Sequence, residues 1–325
     1  MTSRFLRLVL ASLTAAATLT APVAYATPPA ASAPQAQANP GGLGKTGINV
    51  LVHGEVINVP APKTGQTIAP ALKPILASPN LKIGLPKSPE PQNQVLIDKG
   101  SYVISYNPSN KMPNWVSWQL DKKFVSVGAQ RGNDFRGDKD LPKDLNRVTP
   151  KDYLHSGYDM GHLIPSEDRS RTTKQNEGTF LMTNMTPQRP DLNRGPWRYL
   201  EDYTRKIATE KGKDVQVIAG GVMPDRMKTI GSGVAVPTAF FKIAVVLDKG
   251  KGLDSVDANT EVIAVMMPNK QGILARKWTD FLSTPKDIEK ATGYSFFPNL
   301  APNVRATVES KKADVHISSL MAHPE

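Results

Sequence analysis

Cysteine is absent from the 325 residues. That excludes disulfides, thiolate zinc sites and cysteine nucleophiles, and it leaves the compartment open, because exported proteins can also lack disulfides. Long apolar runs are missing too, so stable membrane insertion is not expected. Walker A, GxSxG and HExxH motifs do not occur, which lowers the usual nucleotidase, serine-hydrolase and zinc-protease classes. No internal repeat is evident. A chain of this length allows one large domain or two ordinary ones, and one domain with added segments fits best.

Basic residues are in excess. Lys and Arg number 40 against 29 Asp and Glu, for a net charge of +11 and a pI near 9.6. A polyanionic partner is one expectation, and a solvated basic surface is the other. The first residues point to export. Arg4 and Arg7 precede an apolar stretch, Leu8 to Leu19, and Ala24-Tyr25-Ala26 offers a small-x-small cleavage site. Residues 1–26 are therefore read as a signal peptide cut before Thr27, delivering the protein to the periplasm or the extracellular space.

Residues 27–93 hold twelve of the 28 prolines, with Ala and Gln between them. Proline at that density neither continues a helix nor joins a sheet interior, so the stretch reads as an extended tether. A small hairpin near 48–59 is the exception. The folded domain is expected over 94–312, with a polar tail at 313–325. Tyr102–Tyr106, Trp115–Leu120, Phe124–Val127, Val215–Ala219, Phe240–Leu247 and Glu261–Met267 are strand-like. Thr284-Pro285 opens a short helix that Gly293 stops. Arg131 to Arg147 reads as a polar loop. The fold class is α+β, a central antiparallel sheet flanked by helices.

Chemistry concentrates between Gly157 and Arg205. Asp159-Met160-Gly161-His162 should end a strand starting near Tyr158, with Gly161 permitting a sharp turn and one His162 nitrogen facing solvent. Downstream, Pro196 suits the start of a helix, and positions 193, 197, 201 and 205 follow steps of four. Asn193 would then lead the helix face that carries Glu201 and Arg205. An ordinary surface ion pair explains that spacing equally well. With the histidine added, a general base, an oxygen ligand for a hard cation, a carboxylate and a guanidinium stand together. Those are the parts of a metal-assisted phosphodiester hydrolase. No cluster of bridging carboxylates is evident, so one metal is expected rather than two. Glu167-Asp168 is better read as a turn or helix cap than as a ligand pair.

The segments SYNPSNKMPNWVSWQL, RGNDFRGDKDLP, SGYDMGHLIPSEDR, TFLMTNMTPQRPDLNRGPW, LEDYTR and TGYSFFPNLAPNV stand in order across about 93–312. In them the chain resembles the DNA/RNA non-specific endonucleases, secreted nucleases built on a ββα-metal (His-Me) finger, and is most similar to the cyanobacterial type. The resemblance implies DNA and RNA as substrates, 5′-phosphate products and one hydrated Mg²⁺ or Mn²⁺. It assigns His162 as general base, Asn193 as the direct metal ligand, and Glu201 as the carboxylate acting through metal-bound water. Arg131 and Arg205 would hold the phosphate, while Asp159 and Asn184 would support the site. Arg169, Arg194 and Arg198 are expected on the substrate surface. Met160 departs from the family's Asp-Arg-Gly-His, and Arg169 or Arg194 is the expected replacement for the missing cation. A binding protein without catalysis, or a phosphodiesterase for small esters, are the alternatives. An inhibitor protein in the producing cell is a conceivable partner to which no residue points, and oligomeric state is not legible.

Overall fold

The computed structural model describes residues 43, 46–61, 67–125, 128–145 and 147–315. The signal peptide, residues 27–42 of the tether and residues 316–325 of the tail lie outside that range. Thirteen strands are described. They are β1 (Ile48–Val52), β2 (Glu55–Val59), β3 (Val95–Asp98), β4 (Val103–Asn107), β5 (Met112–Leu120), β6 (Asp159–His162), β7 (Met185–Gln188), β8 (Asp214–Val222), β9 (Thr229–Ile230), β10 (Val234–Ala235), β11 (Ala239–Leu247), β12 (Val262–Pro268) and β13 (Leu282–Ser283). The helices are α1 (Lys73–Leu76), α2 (Thr173–Gly178), α3 (Pro190–Leu192), α4 (Arg198–Thr209), α5 (Pro285–Thr292) and α6 (Pro302–Ser310).

Nine strands make one sheet in the order β13-β12-β11-β8-β5-β4-β3-β1-β2. Every pairing is antiparallel except β1 with β3, which is parallel. The period-two alternation of apolar residues explains why both faces are covered. On one face, Val215, Val217 and Ala219 of β8 join Val116, Trp118 and Leu120 of β5 under Leu200, Tyr203, Ile207 and Ala208 of α4. On the other, Trp115, Ile218, Phe241, Ile243 and Val245 pack beneath Leu72, Ile75, Leu81, Ile83, Ile288, Phe296 and Val308. The first face, carrying α4, is called the front.

The proline-rich stretch corrects the tether expectation within its described part. The hairpin at 48–59 does form, as β1 and β2, but it extends the main sheet rather than standing alone. Residues 67–93 then cross the back face. Pro74, Pro79 and Pro91 sit in the first turns of short helical segments, where the missing N–H costs nothing, so proline punctuates a packed layer here. Asn80 bolts that layer down. Its Oδ1 accepts from Gln119 N at 3.1 Å, and its backbone carbonyl accepts from Ser117 Oγ at 2.6 Å and Gln216 Nε2 at 2.7 Å.

Phe124 differs from expectation as well. Asp121 Oδ1 accepts from Lys123 N and Phe124 N donates back to Asp121 O, so Phe124 lies in the turn that ends β5, while residues 126–127 of the expected strand lie outside the described residues. Toward the C-terminus the reading and the structure agree on α5. Thr284 caps it by accepting from Asp287 N, and Gly293 closes it in the left-handed region at φ 73°.

Candidate active site

The site is built on a separate two-stranded unit in front of the main sheet. Strand β6 pairs antiparallel with β7, setting Asp159 opposite Gln188 and His162 opposite Met185. Gly161 is extended rather than turned. A Cβ at that position would collide with the Gln188 side chain, so close approach is what requires glycine. Asn184 sits wholly buried behind the unit. Its Oδ1 accepts from Ile164 N at 3.1 Å, and its Nδ2 donates to Ile164 O at 3.0 Å and Thr179 O at 2.8 Å, which fixes the chain as it leaves His162.

After β7 the chain turns through α3 into a π-helical segment, Asn193–Trp197, and only then into α4. Gly195 breaks the run with φ −107° and ψ −120°. The reason is again proximity, because a Cβ there would lie 2.6 Å from Leu274 O. Asn193 is therefore not on one continuous face with Glu201 and Arg205, and the four-residue spacing overstated the regularity. The fold brings them together all the same. A cleft of about 690 Å³ is lined by Arg131, Asp159, His162, Asn193, Arg194, Arg198, Glu201 and Arg205, with Phe135, Met160, Pro165, Glu167 and Asp202 completing its wall.

His162 is boxed by aromatic edges at the wall of the cleft. Its ring meets Phe180 at 5.0 Å and Phe135 at 5.6 Å, both edge to face. Its Nε2 is buried and has no hydrogen-bond partner among the described residues. Burial pushes its pKa down to about 3, Arg131 pushes the same way, and Glu167 opposes them. The imidazole is thus neutral near neutral pH, the state that accepts a proton. Neither phenylalanine was singled out in the sequence, where each reads as an ordinary core residue.

Asp159 organises the opposite wall. Its Oδ2 accepts from Asn193 Nδ2 at 3.0 Å and Arg194 Nε at 2.9 Å, and its Oδ1 accepts from Arg194 Nη2 at 2.8 Å. A carboxylate only accepts, so it selects the NH₂ end of the Asn193 amide and leaves the carbonyl Oδ1 as the donor atom for a cation. Arg194 carries positive charge beside Met160 in the same cleft.

Glu201 is buried and accepts from Lys242 Nζ at 3.0 Å. Burial raises the Glu201 pKa to about 7, against Lys242 and Arg205, and burial lowers that of Lys242 against Glu201. The ammonium lies 4.1 Å from the Trp197 ring centroid and 5.8 Å from that of Trp118, and this contact favours its charged form. Lys242 was missed in the sequence. The available signal was a lone lysine inside the otherwise apolar strand AFFKIAVVL.

Arg205 donates to Asp168 Oδ1 at 2.9 Å and also pairs with Asp202. Burial works against its charge, but Asp168, Glu201 and Asp202 more than offset that and hold its pKa up. Asp168 also accepts from Trp118 Nε1 at 2.9 Å, so it braces the site from below and is no metal ligand. Arg131 is 56% exposed, donates to Ser166 Oγ at 2.7 Å and pairs with Glu167. Its guanidinium is therefore the more open of the two expected to meet phosphate.

Arg169 corrects the expected substrate surface. It is fully buried, donates to Ser101 O at 2.9 Å, Gln119 O at 2.9 Å and Asp168 O at 2.7 Å, and stacks 4.4 Å from Phe124. All of its direction is spent on holding loops, so neither substrate contact nor replacement of the cation lost at Met160 falls to it. Arg194 and Arg198 do reach the cleft.

A family model described as DNA/RNA non-specific endonuclease matches residues 80–303 and so reaches back into the proline-rich layer. A nuclease from Nostoc sp. is 42% identical over 247 residues, covering 75% of this chain and 88% of its own. Human mitochondrial endonuclease G is 32% identical over 217 residues, covering 63% and 70%. A crystal structure of an EndoG/EndoGI complex aligns with a TM-score of 0.58 at 26% identity, covering 72% of this chain and 95% of that one. With a β6–β7–α4 unit carrying histidine and asparagine in front of an α+β core, the chain belongs to the DNA/RNA non-specific endonuclease family, a family of nucleases.

Proposed function

We propose that the protein is an exported, metal-dependent endonuclease that hydrolyses phosphodiester bonds of DNA and RNA with little sequence preference and leaves 5′-phosphate ends. The observation that supports this most is the convergence in one cleft of a neutral His162 imidazole, the free carbonyl side of Asn193, the Glu201 carboxylate and four arginines. His162 takes a proton from the water that attacks phosphorus. Arg131, and Arg205 where it reaches the cleft, hold the phosphate and its developing charge. Arg194 and Arg198 supply charge without reading bases, and this favours sequence-independent binding.

The residues fit a hard divalent cation. Asn193 would ligate it directly and Glu201 through water, since among the described residues no group of three or more His, Asp or Glu side chains is arranged to hold a metal. When bound, Mg²⁺ or Mn²⁺ supplies positive charge to the phosphoryl and leaving oxygens.

The deciding experiment is digestion of supercoiled plasmid and ribosomal RNA by the protein from Thr27 onward, with Mg²⁺, Mn²⁺ or EDTA, beside His162→Ala. Loss of both substrates is expected only with metal, and the substitution should lower the rate by about 10²–10⁴. Plasmid retarded on a gel but uncut with either ion would overturn the hydrolytic reading in favour of a binding protein. Export is read from residues 1–26 alone. Protein recovered outside the cytoplasm should begin at Thr27 on N-terminal sequencing, and an intact Met1 would refute cleavage.

A further inference from the structure

Beyond the cleft, the same two-stranded unit carries a second concentration of positive charge. Tyr158 immediately precedes Asp159, and Arg189 immediately follows Gln188, the register partner of Asp159. The Arg189 guanidinium stacks 4.2 Å from the Tyr158 ring centroid. The Lys228 ammonium lies 5.6 Å from the same centroid. Two cations over one ring lie within about 10 Å of each other, close enough for one chain of phosphates to meet both. Among the described residues neither forms an ion pair with a carboxylate, and the one side-chain hydrogen bond of Arg189 is a 3.3 Å contact from Nη1 to Gly157 O. Both charges are therefore available to an anion.

The arrangement also suits one. A guanidinium held over an aromatic ring loses conformational freedom while its remaining N–H groups stay available to phosphate oxygens. Arg189 is anchored through its backbone, since its N–H donates to Asn269 Oδ1 at 2.7 Å. Tyr158 is half-buried, so the platform is fixed, while Lys228 is exposed. Four residues separate Tyr158 from His162, about 13 Å along an extended strand. That is several phosphate spacings of a nucleic-acid strand.

We propose that Arg189 and Lys228, mounted on Tyr158, form a flanking phosphate subsite that holds the nucleic-acid backbone beyond the scissile bond. This deepens the endonuclease reading and rests on it for the identity of the anion. The subsite favours internal stretches of a long polymer over its last few nucleotides, because only a strand running past the cleft reaches it.

The test is binding without cleavage. A fluorescein-labelled DNA duplex of about 30 base pairs is titrated in EDTA at several NaCl concentrations with the wild type, Arg189→Gln, Lys228→Gln and the double variant. Each lost phosphate contact should lower the slope of log Kd against log salt by about 0.9, and the double variant should lower it by about 1.8. Lys73→Gln, an exposed position on the back face, serves as the control and should leave the slope where it was. An unchanged slope in the double variant, or an equal fall with Lys73→Gln, would overturn the subsite. Lys228→Gln alone carries the test if Arg189→Gln fails to fold. A wild type that binds but never cuts removes the hydrolytic reading and leaves the subsite standing; one that cuts while the double variant keeps its slope removes the subsite alone.

Discussion

Strand β11 presents two different solutions on its two sides. Toward the back it offers Phe241, Ile243 and Val245 to a dry layer of aliphatic and aromatic side chains. Toward the front it offers Phe240, Lys242 and Ala244, and Lys242 meets Glu201 under α4. The back face contributes stability mainly through apolar burial, with hydrogen bonds from Asn80 and, between α5 and α6, the pairing of Glu289 and Glu309 with Arg305 tying its cover down. On the front, ionised groups are removed from water, which costs free energy unless each is paired. The contrast teaches where the fold stores its functional strain: front-face charges are kept by partners, namely Lys242 for Glu201 and Asp168 for Arg205.

Breaking a front-face pair should have the largest effect on stability. Lys242→Met leaves the Glu201 carboxylate buried without its partner and should cost about 3–5 kcal/mol in urea denaturation. Adding Glu201→Gln should recover much of that loss. A single variant as stable as wild type would mean that the pair carries no such burden. On the back face, Leu72→Ala should cost about 2–5 kcal/mol through the cavity it opens. Nuclease turnover per folded molecule should be unchanged; a fall in kcat at full folding would show that the faces are coupled.

An effect spread over several pH units should also appear. His162 has a folded pKa near 3 against an ordinary 6.5, so between those values the unfolded chain binds a proton that the folded chain refuses. Stability should therefore fall as pH drops from 6.5 toward 3. Glu201 works oppositely, since its raised pKa makes the folded chain the tighter proton binder between 4.5 and about 7. Comparing wild type with His162→Gln isolates the histidine. Parallel stability curves for the two across that range would contradict its depressed pKa.

Much of the site was legible because chemistry clustered in the sequence. His162, Asn193, Glu201 and Arg205 line one cleft as their residue types suggested, and Arg131 and Asp159 join them as the family resemblance implied. Arg169 misled, because an arginine between polar neighbours looks identical whether it faces solvent or ties down three backbone carbonyls. Gly161 was read as a turn when its use is room for Gln188. The proline-rich stretch failed for a related reason. Composition records that proline interrupts the interior of regular elements, but it cannot distinguish a tether from a packed layer whose apolar residues fall between the prolines.

The sequence by itself determined the alternation that gives the sheet two buried faces, the caps of α5, and the residue types needed at a phosphodiester site. Those are local properties, set by periodicity, backbone sterics and side-chain chemistry. Only the tertiary structure decided that Phe135 and Phe180 box His162, that Lys242 reaches Glu201 across 41 positions of chain, and that Gly195 breaks the helix before α4. Each of these depends on which distant surfaces come within a few ångströms of one another, and burial, not residue identity, sets the charge and shape that result.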